Sequence, residues 1–158
     1  MPLTDVAPLE ASIDIAAPPA VVWGLVSDLR NMPRWSPQTM KSIRRGGTGL
    51  GARFLNVNRT GLLVWPTQSK VVRYEEGTEI AWRVKENFTI WSIRLEPSPD
   101  GGTHVVQRRE APNGISDVSV RMTKVAFGGV PKFSETLQAD MVRTLDRVKA
   151  AAEETVRA

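Results

Sequence analysis

The chain has 158 residues, 41% of them hydrophobic and 24% charged, with 21 basic and 17 acidic residues for a net charge of +4. That length fits one domain, taken as residues 1–158, and no segment approaches the roughly 20 apolar residues of a membrane span, which excludes stable insertion. The absence of cysteine excludes disulfides and thiolate metal sites, and a basic excess spread along the chain, with no basic run and no RNA or DNA motif, argues against nucleic acid as a partner.

Met1 to Val26 carries Asp5, Glu10 and Asp14 and no basic residue ahead of its apolar stretch. That is the wrong charge pattern for secretion and points to the cytoplasm. Residues 9–15 alternate cleanly between apolar and polar, which predicts a half-buried strand. Pro18 and Pro19 then start a helix that is expected to run to about Asn31, before Pro33. Two prolines confine Pro33 to Pro37 to a short helical turn or loop. Strands are expected at 39–45 and 51–59, around Gly46-Gly47-Thr48-Gly49. A nucleotide-binding loop would have to lead into a helix, and Arg53 to Val57 looks extended, so this glycine run reads as a hairpin turn.

Further strands are predicted at 62–74, 79–85, 88–95 and 103–110, joined by turns at Glu76-Gly77, Glu86-Asn87 and residues 97–102. Seven consecutive strands with short connections make an antiparallel sheet. Residues 111–131 fit a short helix, an irregular strand or a mobile flap. From Phe133 onward, Leu137, Met141, Leu145, Val148, Ala152 and Val156 recur at helical spacing, with Glu135, Asp140, Arg143, Asp146, Arg147 and Lys149 on the opposite side. A helix of about 25 residues needs an apolar partner of roughly 37 Å, which only the sheet offers. A curved sheet wrapped around a terminal helix commonly leaves an interior space.

This order of elements resembles the START-related SRPBCC superfamily, in its polyketide cyclase/dehydrase-like branch. The resemblance rests on Ala17-Pro18-Pro19-Ala20-Val21-Val22-Trp23 with Asp28, Trp35-Ser36-Pro37, Gly51-Ala52-Arg53-Phe54, Asn58-Arg59, Trp65 with Thr67, Leu95-Glu96-Pro97 with Gly102-Thr103, and the closing helix. It implies an α+β helix-grip fold with two short helices after the first strand and an internal cavity for lipids, polyketides or other apolar molecules. A reaction is implied far less firmly, because activities on one fold diverge.

Trp35, Trp65, Trp82 and Trp91 fall on segments expected to line or cap the concave face. In 79–85, Ile80, Trp82 and Val84 alternate against charged neighbours, so Trp82 points inward. Core packing remains the simpler role for any one of these rings. The strand at 53–59 has two possible inner faces by pattern alone, and the resemblance favours Phe54, Asn56 and Asn58. Thr67 shares the face of Trp65, and an inward Val105 brings Gln107 and Arg109 with it. Arg109 could hold a carboxylate, enolate or phenolate, although an arginine on an exposed sheet face fits the pattern slightly better. Phe127, Phe133, Leu137 and Met141 complete the expected ligand contacts. His104, the sole histidine, is expected on the outer face, and no nucleophile motif accompanies it. Neither a metal nor a cofactor is expected. Tyr74 has no special spacing, and Glu75-Glu76 reads as a charged turn.

The leading functional expectation is a monomer or homodimer that binds an apolar or amphipathic small molecule between sheet and terminal helix. A polyketide cyclase or dehydratase is the enzyme alternative. A quinone chaperone or protein-interaction module, using the exposed sheet face or the flap, is the third.

Overall fold

The computed structural model describes residues 6–126 and 129–158. Its strands are β1 (Leu9–Ile15), β2 (Thr39–Gly46), β3 (Arg53–Thr60), β4 (Leu63–Glu75), β5 (Glu79–Val84), β6 (Ile90–Pro97) and β7 (Thr103–Glu110). They form one curved sheet in the order β1-β7-β6-β5-β4-β3-β2, antiparallel at every pairing. Between β1 and β2 lie α1 (Pro19–Val26), a 3-10 turn at Leu29–Asn31 and α2 (Met32–Trp35). After β7 come α3 (Asp117–Ala126) and α4 (Val130–Arg157), whose 28 residues extend about 42 Å.

The first helix stops at Val26, short of the expected Asn31. Side chains compete with the helical ladder here. Asp28 accepts the Arg30 backbone N–H at 3.0 Å, and the Asn31 amide donates to the Leu25 carbonyl at 3.0 Å. The sixth strand starts at Ile90 and not at Phe88, because Phe88 adopts φ +68 and its N–H turns back to the Val84 carbonyl. The stretch left open in the sequence holds a ten-residue helix, α3.

Helix α4 covers the sheet edge at β1, where three of its side chains take backbone groups of the first segment. Gln138 donates to the Glu10 carbonyl at 2.6 Å, Lys149 to the Asp14 carbonyl at 2.8 Å, and Glu153 accepts the Ala16 N–H at 2.9 Å. An edge satisfied in this way cannot pair with another chain. The C-terminal half of the apolar stripe, Leu145, Val148 and Ala152, joins Ala11, Ile15, Val22 and Val105 in the core. The core cluster continues across the sheet to Phe54 on β3, and α4 packs on it chiefly at β1 and α1.

Trp23 and Tyr74 meet edge-on at 5.6 Å, and both donate to the Glu76 carboxylate, at 3.1 and 2.8 Å. Glu76 is thus the polar anchor of α1 on the sheet, a role the charged-turn reading did not contain. This bond also raises the Tyr74 hydroxyl above its ordinary pKa, since the neighbouring carboxylate opposes a phenolate.

Gly102 opens β7, and a Cβ there would stand 2.6 Å from the Ile15 carbonyl oxygen. Gly102→Ala must therefore push β1 from β7. The expected loss is about 1–3 kcal/mol, the usual range for overpacking, read from the urea midpoint.

Candidate functional site

Away from the β1 end, the sheet and α4 diverge around a cavity of about 340 Å³, at the small end of the roughly 300–1,000 Å³ typical of ligand pockets. Strands β3 and β4 contribute Asn56, Asn58, Trp65 and Thr67. Strands β5 to β7 contribute Trp82, Trp91, Gln107 and Arg109, and α4 contributes Phe133, Leu137 and Met141. Alternation explains the grouping: on β7 the residues 103, 105, 107 and 109 are buried, while 104, 106, 108 and 110 are more exposed. Cross-strand register then sets Trp82, Trp91 and Arg109 side by side in one row.

Two expected contacts, Trp35 and Phe54, do not reach this wall. Trp35 is 2% exposed in the core, with Arg34 stacked 4.4 Å above its ring and its carbonyl accepting from Arg147 at 3.2 Å. It ties α2 to α4. Phe54 faces inward as expected, but sits below the cavity in the core cluster. Phe127 lies outside the described residues.

The amides on β3 are already engaged. Asn56 accepts from Ser42 at 2.9 Å and donates to Ser69 at 3.1 Å, while Asn58 donates to Thr67 at 3.0 Å and to the Trp65 carbonyl at 3.3 Å. They form a fixed polar lattice. Gln107 and Arg109 differ from them. The Gln107 Oε1 is buried without a hydrogen bond among the described residues, and such a group costs about 1–3 kcal/mol if left so.

Arg109 is 6% exposed, which overturns the exposed-arginine reading. No carboxylate or other acceptor among the described residues is bonded to its guanidinium. Burial alone pulls its pKa down to about 10, with no charged neighbour contributing. The group remains cationic at neutral pH, so the cavity holds an uncompensated positive charge.

Asp140 on α4 also lines the cavity, and the sequence reading had placed it on the solvated side. Its position three residues after Leu137 and four before Thr144 puts it at the border of the apolar stripe, and that spacing was the available signal. Burial raises its carboxyl above the ordinary range, against the opposing pull of Arg143 and Arg147. A raised carboxyl keeps its proton in the fold at pH values where the unfolded chain has released it. Acidification through that window therefore adds stability. We expect Asp140→Asn to gain on the wild type near neutral pH and that gap to close as the pH falls, as followed by melting temperature. A pH-independent gap would remove Asp140 as its source.

His104 lies on the outer face and contacts Asp14 at 2.7 Å, away from the cavity wall. Among the described residues, no cluster of three potential metal ligands occurs and no helix is long and apolar enough to cross a membrane.

An antiparallel sheet gripping a long helix, with a partly polar cavity between them, defines a helix-grip protein of the ligand-binding type. The chain belongs to the family described as polyketide cyclase / dehydrase and lipid transport, which matches residues 7–153. No curated protein matches the sequence. Among solved structures, it is similar to the two-domain aromatase/cyclase StfQ of the steffimycin biosynthetic pathway, at 16% identity and a TM-score of 0.75. That match covers 96% of this chain and 52% of StfQ, so the chain spans about half of that protein's length. The ZhuI aromatase/cyclase from a Streptomyces species is similar over 96% of both chains, at 17% identity and a TM-score of 0.74. A polyketide-cyclase-like protein from Corynebacterium glutamicum matches at 24% identity and a TM-score of 0.58, over 95% of this chain and 91% of its own. At these identities the likeness establishes the fold.

Proposed function

We propose that the protein binds a small amphipathic molecule with an apolar or aromatic body and one anionic or enolisable oxygen. The body packs against Trp82, Trp91, Leu137 and Met141, and the oxygen meets Arg109, with Gln107 beside it. The observation that carries this reading is the buried guanidinium without a partner. A cation in that position is costly, and a ligand anion recovers the cost through charge-assisted hydrogen bonds. Family membership supports the apolar part of the ligand. Native mass spectrometry of the purified protein, followed by thermal-shift titration with matched aromatic or fatty carboxylates and their methyl esters, tests it. The acids are expected to stabilise and the esters to fail, because mass action rewards only ligands that bind the folded state. Equal stabilisation by both would overturn the assignment of Arg109.

The carboxyl of Asp140 favours a second reading, a cyclase or dehydratase that works on such a ligand. Arg109 would stabilise an enolate oxygen, and the Asp140 carboxyl would exchange a proton with the substrate. Folding the chain of a polyketide-like substrate against a rigid aromatic wall supplies the rest of the catalysis. Under this reading Asp140→Asn lowers kcat by about 10²–10⁴-fold while leaving ligand affinity within a fewfold of the wild type. A variant that retained full turnover would leave binding as the whole function.

A further inference from the structure

The outer face of β2, β3 and β4 gathers charges that lie apart in the sequence. Register places Lys41 beside Val57 and Pro66, Ile43 beside Leu55 and Gln68, Arg59 beside Val64, and Arg53 beside Lys70 and then Arg83. A shallow groove across this face is lined by Arg45, Arg53, Lys70, Arg83 and Lys85, with no carboxylate on its walls. None of these five cations forms an ion pair with a described residue, and Arg83 alone has a ring contact, to Phe88 at 5.6 Å. Farther along the same strands, toward the β3–β4 turn that Lys41 and Arg59 flank, large apolar side chains are exposed: Leu62 at 96%, Val64 at 52%, Met40 at 51% and Ile43 at 37%.

We propose that this face docks on an anionic lipid surface. Cations alone would suit any polyanion, and the exposed apolar residues among them decide between the candidates. A bilayer interface takes both, with phosphates meeting Lys and Arg while aliphatic groups enter below the headgroups. Single-stranded nucleic acid would call for exposed aromatic rings for stacking, and the strands of this face present none fully to solvent. A second copy docked face to face by a two-fold axis would set like charges against each other. The β3–β4 hairpin that carries Val64 also carries Trp65 on the cavity wall. Docking there brings the cavity to the lipid, although the surface acts whatever the cavity holds.

The test is co-sedimentation of the full chain with vesicles of phosphatidylcholine alone or mixed equally with phosphatidylserine. Binding is expected only to the mixed vesicles, with loss in high salt. Removing one basic residue near the surface weakens partition about fivefold, so the Arg53→Glu, Lys70→Glu, Arg83→Glu triple variant should lose at least about 100-fold. Leu62→Asp, at a site too exposed to affect folding, should lose severalfold at an unchanged melting temperature and keeps the test valid if the triple variant misfolds. No partition onto the mixed vesicles, or equal partition onto both kinds, overturns the proposal. So does tighter binding to duplex DNA or to an acidic protein. Ligand stabilisation measured on the same protein separates this failure from failure of the cavity reading.

Discussion

Arg109→Met is expected to make the ligand-free protein more stable and unable to hold its ligand. The substitution keeps most of the side chain's length and apolar stem, and removes a buried charge that no described residue neutralises. The fall of its pKa from the ordinary arginine range to about 10 sets an upper bound of about 3 kcal/mol on the cost of that charge. Relaxation and residual water reduce it, so a gain of roughly 1–3 kcal/mol is expected, or about 2–12 °C in melting temperature for a domain of this size. Affinity for an anionic ligand should fall by about 10- to 150-fold, since a hydrogen bond to a charged group contributes roughly 1.5–3 kcal/mol. Stability and binding thus move in opposite directions. A structural arginine would behave otherwise: its removal would lower the melting temperature and change affinity only in proportion to unfolding. The measurement is a paired thermal melt and carboxylate titration on wild type and variant. A drop in melting temperature would assign Arg109 to the architecture and withdraw the anion site.

The pairing of stability with function explains which parts of the site were legible in the sequence. Periodicity reports which face of an element is buried, so Trp82 on β5 and the stripe of α4 could be read directly. It fails where both faces are mixed. On β3 the residues Leu55 and Val57 alternate with Asn56 and Asn58, and the polar residues are the ones turned inward, because Ser42, Thr67 and Ser69 on the flanking strands bond to them. That information lives in cross-strand register, which a single strand does not contain. Arg109 illustrates the same limit. An arginine in a strand ordinarily marks the solvent face, and only a site that has a use for its charge reverses the rule.

Local competition hid other features. The end of α1 and the start of β6 are set by Asp28, Asn31 and the left-handed Phe88, each a short-range bond that leaves no period in the chain. Trp35 takes the core role open to any of these rings: Ser36 beside it lines the cavity, while α2 sets the Trp35 ring in the core cluster. Glu76 was invisible because its partners lie 53 residues upstream, on Trp23, and two residues upstream, on Tyr74. Asp140 needed a finer reading of the helix, where a residue at the border of the apolar stripe can face either the solvent or a void.

Two leucines on one stripe of α4 now make the void measurable. Leu145 and Leu137 are both buried, at 1% and 4% exposure. They differ in what surrounds them: Leu145 belongs to the contiguous core, whereas Leu137 lies outside that cluster and on the cavity wall. Truncating a leucine in a close-packed core removes its transfer energy and leaves a new hole, for a loss of about 3–5 kcal/mol. At Leu137 one side of the chain already faces empty space, so few contacts are lost, and about 1–2 kcal/mol is expected. Denaturant unfolding of Leu145→Ala and Leu137→Ala reads the difference at once. Leu137→Ala has a second expected effect, because it enlarges the cavity by about the volume of an isopropyl group and should shift ligand preference toward bulkier bodies. Equal losses at the two positions would mean that the interior around Leu137 is packed as tightly as the core, and with no void there the wall that orients a ligand toward Arg109 would not exist.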